Sequence, residues 1–139
     1  MTKAVIFNPT RVLAFINERQ PLAYVPGMKG IGLEEDGKLI AGVAYEGFNG
    51  SNVWMHVAAV PGARWMTREY LTICFAYPFN QLGVRRVSGY VEANNTAARR
   101  FDEHLGFKPE ATLKGAGKND GDVLIYCMRR EDCRYVQQN

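Results

Sequence analysis

One apolar stretch of the chain, Val53–Val60, contains a histidine and runs into a turn that could bind phosphate. The turn residues Gly62 and Ala63 have little or no side chain, so an anion can approach the backbone, and Arg64 and Arg68 add positive charge. A helix that begins here presents free N–H groups and a positive dipole end to a pyrophosphate. A plain strand-to-helix turn uses the same Pro-Gly chemistry, so this segment alone leaves both interpretations open.

His56 is the residue of this strand that is suited to acid–base chemistry, because an imidazole ordinarily titrates near neutral pH. A histidine in this position is a candidate general base, which takes a proton from a reacting group. The alternative interpretation is a core histidine that bonds to a backbone carbonyl.

The segment 87–107 predicts a strand, a capped amphipathic helix and a return into a second strand. Asn94 or Asn95 can cap the helix, since a short side-chain acceptor satisfies N–H groups of the first turn. Gly106 suits the left-handed C-cap. Residues at three- and four-residue steps predict the buried face of this helix: Ala97, Ala98, Phe101 and Leu105.

Similar patterns position the other elements. They predict helices over 9–19, 64–82 and 95–105, and strands over 31–35, 39–45, 52–60, 85–91, 108–113 and 123–129. Asp36 and Gly37 form the expected hairpin turn, 115–121 is a polar hairpin loop, and Pro78 must bend the second helix. The order of helix, three strands, helix, strand, helix and two strands predicts an α/β domain on a mixed sheet.

Length and composition limit the classes of protein. The 139 residues predict a single domain over 1–139, and the 47% of hydrophobic residues fits a compact core. A net charge of +3 fits a polyanionic small molecule and is too mild to indicate nucleic acid. Three cysteines without metal-type spacing predict reduced thiols, no metal site and a cytoplasmic location. The apolar run of residues 1–9 is too short for a signal peptide or a membrane span.

The order Asn95, Ala98 and then Leu105-Gly106-Phe107 resembles the GNAT superfamily of acetyl-CoA-dependent N-acetyltransferases. The resemblance extends over roughly residues 30–130. It implies a single α/β domain, whose mixed, mostly antiparallel sheet has splayed central strands and is flanked by helices. The segments 60–65, 77–80 and 131–133 together resemble a branch of small GNAT proteins of phages and prophages.

The resemblance also implies a site for acetyl-CoA as co-substrate. In this family two parallel strands splay apart, and the pantetheine arm pairs with the open edge of the first strand. The implied cofactor contacts are Val57, Ala58, Ala59, Val60, Gly62, Ala63, Arg64, Trp65, Met66 and Thr67, with Asn95 near the thioester. The chain departs from the family's glycine pattern, because Gly62 is the one glycine present and Trp65 replaces a small residue.

Three residues occupy places that are catalytic in members of the family. His56 stands where arylalkylamine acetyltransferases of the superfamily have a histidine, which implies a general base. Tyr90 stands where ribosomal-protein acetyltransferases have a carboxylate; a phenol is a poor base near neutral pH, so we expect Tyr90 to line the acceptor site. Asp102 replaces the tyrosine that many members have. We expect Asp102 to be solvated and to contribute little, with Tyr126 or water protonating the leaving thiolate.

The sequence therefore predicts an N-acetyltransferase that moves an acetyl group from acetyl-CoA to an unspecified primary amine by direct attack. Its expected partners are these two substrates and a second copy of the chain in a homodimer, with no nucleic acid and no membrane. A CoA-binding module that has lost catalysis is the alternative, since it would explain the single glycine and the missing tyrosine. A nucleic-acid adaptor is disfavoured, because no recognition motif accompanies the dense basic cluster of Arg85, Arg86, Arg99 and Arg100.

Overall fold

Seven strands form one sheet in a computed structural model that describes residues 2–137. The strands are β1 (Lys3–Ile6), β2 (Lys29–Glu35), β3 (Lys38–Glu46), β4 (Asn52–Ala59), β5 (Arg86–Glu92), β6 (Lys108–Leu113) and β7 (Val123–Arg129). The helices are α1 (Pro9–Arg19), α2 (Arg68–Ala76) and α3 (Thr96–Leu105). The strand order across the sheet is β1-β2-β3-β4-β5-β7-β6.

One pair of neighbours in this sheet is parallel, and the other five pairs are antiparallel. The parallel pair is β4 and β5, which are in register over Asn52–Trp54 and Arg86–Ser88 and then part. This arrangement confirms the predicted mixed, mostly antiparallel sheet with splayed central strands.

The turn between β2 and β3 has the backbone that the sequence predicts. Asp36 and Gly37 both have positive φ, 51° and 85°. Two consecutive positive φ angles are typical of a type I′ turn, whose twist matches that of the flanking strands. The hairpin therefore places β2 and β3 side by side as expected.

Helix α1 lies against one face of β2, β3 and β4. Its residue Val12 meets two sheet glycines: a Cβ on Gly32 would lie 2.9 Å from Val12 Cγ2, and one on Gly42 would lie 3.0 Å from Val12 Cγ1. Such distances are too short for a side chain without movement, so the glycines allow the helix to approach the backbone of the sheet. Asn8 caps this helix by accepting from the N–H of Arg11.

The opposite face of the sheet carries the main core, into which α2 packs. Two buried tyrosines tie this helix to the strands: the hydroxyl of Tyr70 donates to the carbonyl of Ile31 at 2.7 Å, and that of Tyr45 donates to the carbonyl of Cys74 at 2.6 Å. A buried hydroxyl without a partner would cost stability, so these bonds let the core contain phenols.

Helix α2 begins four residues later than predicted. The chain from residue 60 to 67 is irregular, and Thr67 is the N-cap, whose Oγ1 accepts from the N–H of Tyr70. Beyond α2 the chain continues as a π-helical turn over Tyr77–Leu82, which contains Pro78 and ends at the left-handed Gly83. The predicted disruption at Pro78 is thus confirmed, whereas the predicted start at Arg64 is wrong.

Strand β1 is absent from the sequence prediction. It extends the sheet beyond β2, pairing antiparallel over Ile6–Gly32 to Lys3–Glu35. With four residues it is too short to show a clear alternation of apolar and polar side chains.

Helix α3 follows its predicted course, with Asn95 as N-cap and Gly106 in the left-handed C-cap conformation at φ 113°. Ala98, Phe101 and Leu105 pack against the core, but Ala97 is exposed, which corrects its predicted place on the buried face. Within residues 2–137 no helix is long and apolar enough to cross a membrane, and no group of three potential ligands could hold a metal ion.

Candidate functional site

The centre of the sheet opens between β4 and β5. Their register ends at Trp54 and Ser88, and just beyond it a Cβ on Gly89 would still lie 3.6 Å from the carbonyl oxygen of Met55. Strand β4 continues to Ala59 along β3, and β5 continues to Glu92 along β7. The two strands thus remain ordered by their outer neighbours while the edge between them is free.

Alternation along β4 decides which backbone groups face this opening. The N–H of Val60 donates to the carbonyl of Ile40 at 2.9 Å, on the β3 side. Bonded and non-bonded residues alternate in an antiparallel ladder, so Ala58 also points its backbone at β3, and Val57 and Ala59 point theirs at the opening. Of the four predicted contacts, Val57 and Ala59 present the free edge, whereas Ala58 and Val60 pair with β3.

The loop over residues 60–67 presents several free N–H groups beside the opening. Gly62 is exposed and has φ +80°, a conformation that favours glycine. The N–H of Ala63 donates to the Val60 carbonyl, but within residues 2–137 the N–H groups of Gly62, Arg64 and Met66 have no protein acceptor. Together with the first turn of α2 they form a cluster of donors that suits an anion.

Two arginines lie beside this loop as predicted, but the N-terminus of α2 lies later in the chain than predicted. Arg64 and Arg68 are both exposed, so their guanidinium groups can approach a phosphate. Because α2 begins at Arg68, the positive end of the helix lies at Thr67 and Arg68 rather than at Arg64.

The side chain of Trp65 is in the core rather than on the cofactor side. Its indole lies 6.2 Å from the ring of Tyr70 and 5.1 Å from that of Phe101, and it is almost fully buried. Trp65 therefore attaches the loop to α2 and α3, which explains why a bulky residue is tolerated here. Its backbone alone remains among the predicted cofactor contacts.

Asn95 has the capping role that its position predicts. It is exposed, and its Oδ1 accepts from the N–H of Ala98 at 3.1 Å. This bond fixes the start of α3. The role of Asn95 in binding acetyl-CoA stays a prediction.

His56 forms a polar pair on the α1 face of the sheet. Its Nε2 lies 2.6 Å from Oε2 of Glu46, and the imidazole is 8% exposed against 26% for the glutamate side chain. A buried histidine was one expectation, but its partner is a carboxylate rather than the backbone carbonyl that the sequence suggested. A close carboxylate orients an imidazole, as it does in many catalytic sites.

Tyr90 completes this cluster from β5. Its ring meets His56 edge-on at 5.5 Å and Trp54 at 6.0 Å, and the residue is 56% exposed. Partial burial, with the charge of Glu46 adding to it, raises the pKa of the Tyr90 phenol. The hydroxyl therefore stays protonated near neutral pH and can donate a hydrogen bond. Its place at the acceptor site stays a prediction.

Asp102 differs from its expectation. The side chain is half-buried, because residues 98, 102 and 105 follow the helical repeat and share the inner face of α3. Burial, with the negative charge of Glu103 adding to it, raises the pKa of Asp102 from 3.8 to about 7. A carboxyl group of this kind is protonated in part at neutral pH and can act as an acid.

Tyr126, the expected alternative acid, is already engaged. Its hydroxyl donates to Oε2 of Glu103 at 2.6 Å and accepts from Nε of Arg99 at 3.3 Å, and the residue is buried. These contacts join β7 to α3. Of the two protein groups considered for protonating a thiolate, Asp102 therefore has the suitable chemistry.

The polar residue of this candidate site that the sequence analysis did not single out is Glu46. It ends β3, opposite Trp54, so it reaches His56 diagonally across the β3–β4 pair. A carboxylate at the end of an apolar strand was the signal in the sequence. Its partner, however, depends on the register between β3 and β4, which the sequence alone does not determine. A cleft of about 650 Å³ lies elsewhere, between the β1–α1 connection, β2 and the π-helical turn, and includes none of the predicted catalytic residues.

Comparison with known proteins gives likenesses of structure alone. No family model matches the sequence, and no curated protein does. A mutant form of the spermidine/spermine N-acetyltransferase of Vibrio cholerae has a TM-score of 0.74 at 16% identity, covering 94% of this chain and 96% of that one. A dodecameric structure of the spermidine N-acetyltransferase of the same organism also scores 0.74 at 16% identity, covering 93% and 94%.

A further solved structure, described as a probable acetyltransferase, has a TM-score of 0.65 at 16% identity and covers 76% of this chain and 64% of its own. Identities this low show the fold and not the reaction. The chain therefore has the GNAT fold of these acetyltransferases, as the motif around Asn95 implied.

Proposed function

We propose that the protein is an acetyl-CoA-dependent N-acetyltransferase that acts on a primary amine by direct attack. The observation that carries this proposal is the free edge of β4, which lies between a loop of unpaired N–H groups and the pair His56–Glu46. Strand β4 thus offers a free backbone edge at Val57 to an amide-containing chain, and the adjacent residue His56 carries an acid–base group. The shared fold with N-acetyltransferases supports the same conclusion.

Acetyl-CoA is a co-substrate that fits the groups present. The amides of its pantetheine arm can pair with the backbone of Val57 and Ala59, as an added strand does at a sheet edge. Its pyrophosphate suits the loop of residues 62–66 and the N-terminus of α2, with Arg64 and Arg68 nearby. These are contacts of backbone groups, so a single glycine is sufficient for them.

The reaction needs a base and an acid. The amine nitrogen attacks the thioester carbon, the carbon–sulfur bond breaks, and the amine loses a proton that we assign to His56. The leaving thiolate gains a proton, which we assign to Asp102, since its raised pKa makes the neutral acid available near pH 7. Tyr90 lines the acceptor side.

Two measurements test this function. Acetyl-CoA should raise the melting temperature, because a ligand that binds the folded state alone stabilises it. A panel of amines should then release free CoA thiol from acetyl-CoA, which a thiol reagent detects. Saturable binding with no thiol release from any amine would favour the CoA-binding module and contradict the enzyme.

Replacing the base gives the sharper test. His56→Ala should lower turnover by roughly 10²–10⁴-fold, the usual contribution of a positioned base. His104→Ala is the matched control, because the chain has two histidines and His104 is exposed on α3. Equal activity of wild type and His56→Ala would return His56 to a structural role.

Three finer expectations remain part of the proposal. The reducing, cytoplasmic setting rests on the odd number of cysteines and on the absence of metal-type spacing among them in the sequence. A homodimer stays a prediction; the dodecamer belongs to the solved Vibrio cholerae protein. A place in the phage and prophage branch of the superfamily likewise rests on the sequence motifs alone.

A further inference from the structure

Glu46 and His56 are diagonal neighbours on one face of the sheet. Across β3 and β4, Glu46 is paired with Trp54 and Ala44 with His56. His56 is therefore two residues beyond the residue that lies directly opposite Glu46. Long side chains reach each other at this offset. The resulting contact is 2.6 Å between Oε2 and Nε2, and the imidazole is 8% exposed.

The chemistry of this contact fixes the proton on one nitrogen. An ionised carboxylate only accepts hydrogen bonds, so Nε2 of His56 must carry a hydrogen. A neutral imidazole has one donor and one acceptor nitrogen, and the lone pair is therefore on Nδ1. A histidine without such a partner is free to interchange the two forms.

The other neighbours of His56 do not compete for this role. Tyr90 of β5 meets the ring edge-on, and α1 contributes the apolar side chains of Val12, Phe15 and Ile16 to this face of the sheet. Within residues 2–137 the Glu46 carboxylate is the one hydrogen-bond partner of the imidazole. Glu46 is also the charged group that faces both His56 and Tyr90.

We infer that Glu46 is the positioning residue of this site, which holds His56 in the orientation and tautomer that leave Nδ1 to take the proton of the acceptor amine. The inference rests on the proposed function for its kinetic consequence. Its structural content, the hydrogen on Nε2, is independent of any substrate.

A purely structural ion pair is the competing explanation, and two substitutions separate the explanations. In Glu46→Gln the amide can donate to Nε2 through its nitrogen or accept from it through its oxygen, so the hydrogen is no longer confined to Nε2. In Glu46→Met the side chain neither donates nor accepts strongly, so both tautomers are populated. A positioning role predicts that both variants lose turnover, because neither confines the hydrogen to Nε2; a structural role predicts that Glu46→Gln, which keeps a hydrogen bond, retains wild-type turnover while Glu46→Met does not.

We expect kcat of Glu46→Gln to fall on the order of 10²-fold, with the KM for acetyl-CoA within about twofold of wild type. Glu34→Gln is the matched control, since it removes a carboxylate of β2 that pairs with Arg11 of α1 and does not contact His56. Its turnover should equal that of wild type. Turnover of Glu46→Gln equal to that of wild type would overturn the inference.

Nitrogen-15 NMR of the histidine rings tests the tautomer without any substrate. Wild type should show a protonated Nε2 and an unprotonated Nδ1 for His56, and Glu46→Gln should move the hydrogen at least in part to Nδ1 while the signals of His104 stay unchanged. A protonated Nδ1 with a bare Nε2 in wild type would refute the inference even if the enzyme is active. Absence of turnover with the expected NMR pattern would contradict the proposed function and leave the assignment of Glu46 standing.

Discussion

The half-buried carboxyl group of Asp102 makes the acid step open to a quantitative test. Its pKa of about 7 means that roughly half of the molecules carry the proton at pH 7. Asp102→Asn keeps the shape of the side chain and removes the acid. If Asp102 protonates the thiolate, turnover should fall at least tenfold, which corresponds to about 1.4 kcal/mol of barrier.

The assay is thiol release from acetyl-CoA at saturating amine between pH 5 and 9. Wild type should lose activity as the pH rises through about 7, because Asp102 then loses the proton that it must donate. This alkaline decline should be absent in Asp102→Asn. Glu103→Gln removes the negative charge that helps to raise the pKa of Asp102, so it should move the decline to lower pH.

Stability provides an independent measurement of the same pKa. The folded state binds the Asp102 proton more tightly than the unfolded state, so the free energy of unfolding falls as the pH rises from about 4 to about 7 and is then constant. About three pKa units correspond to about 4 kcal/mol of cost for the buried carboxylate. Asp102→Asn should remove up to that cost at pH 8 and gain nothing at pH 3.

Two results together would refute the assignment of Asp102. One is a folded Asp102→Asn variant with unchanged turnover and intact affinity for acetyl-CoA, which would indicate that water protonates the thiolate. The other is an equal free energy of unfolding for the two proteins at pH 8, measured by urea denaturation, which would show a solvated carboxylate. Asp102→Tyr complements both, since a faster enzyme would show that position 102 faces the thiol.

Two further predictions concern the loop and the helix that border the opening. Gly62→Glu should weaken acetyl-CoA binding at least tenfold, about 1.4 kcal/mol, because the new charge repels the pyrophosphate; calorimetry measures the affinity. Gly62→Ala is the control, since it introduces the same backbone strain at φ +80° without a charge, and its Cβ meets no atom within 4 Å. Unchanged affinity in folded Gly62→Glu would move the cofactor elsewhere. Asn95→Ala should lower the free energy of unfolding by about 1 kcal/mol through loss of the N-cap, whereas Asn95→Asp should keep it.

The helices and the hairpin could be read from the sequence because their signals are local. Asn95 and Gly106 mark the two ends of α3 by side-chain acceptor and left-handed backbone, and Asp36-Gly37 marks the β2–β3 turn in the same way. The predicted start of α2 at Arg64 is too early, because the Pro61-Gly62 turn signal does not itself mark the beginning of the helix. The actual boundary is the cap of Thr67, and the burial of Trp65 keeps the preceding residues out of the helix.

The chemistry of the site was less accessible because it depends on contacts between distant segments. His56 could be found by its residue type, but its partner Glu46 follows from the pairing of β3 with β4. The state of Asp102 depends on how deeply α3 is packed, so its partial burial could not be inferred from a residue type that is usually solvated. Which backbone groups of 57–60 are free likewise depends on the register with β3.

That register gives β4 two roles at once. Along a strand the backbone direction and the side-chain face alternate together, so His56 directs its N–H and C=O to β3 and its imidazole to the α1 face. Its neighbour Val57 directs its backbone to the opening and its side chain to the main core. A slip of one residue would exchange these directions, turning the imidazole into the core and away from Glu46. The pairing Ala41↔Ala59 to Glu46↔Trp54 continues without a bulge, and it therefore aligns the proposed proton acceptor and the proposed cofactor edge by the same set of hydrogen bonds.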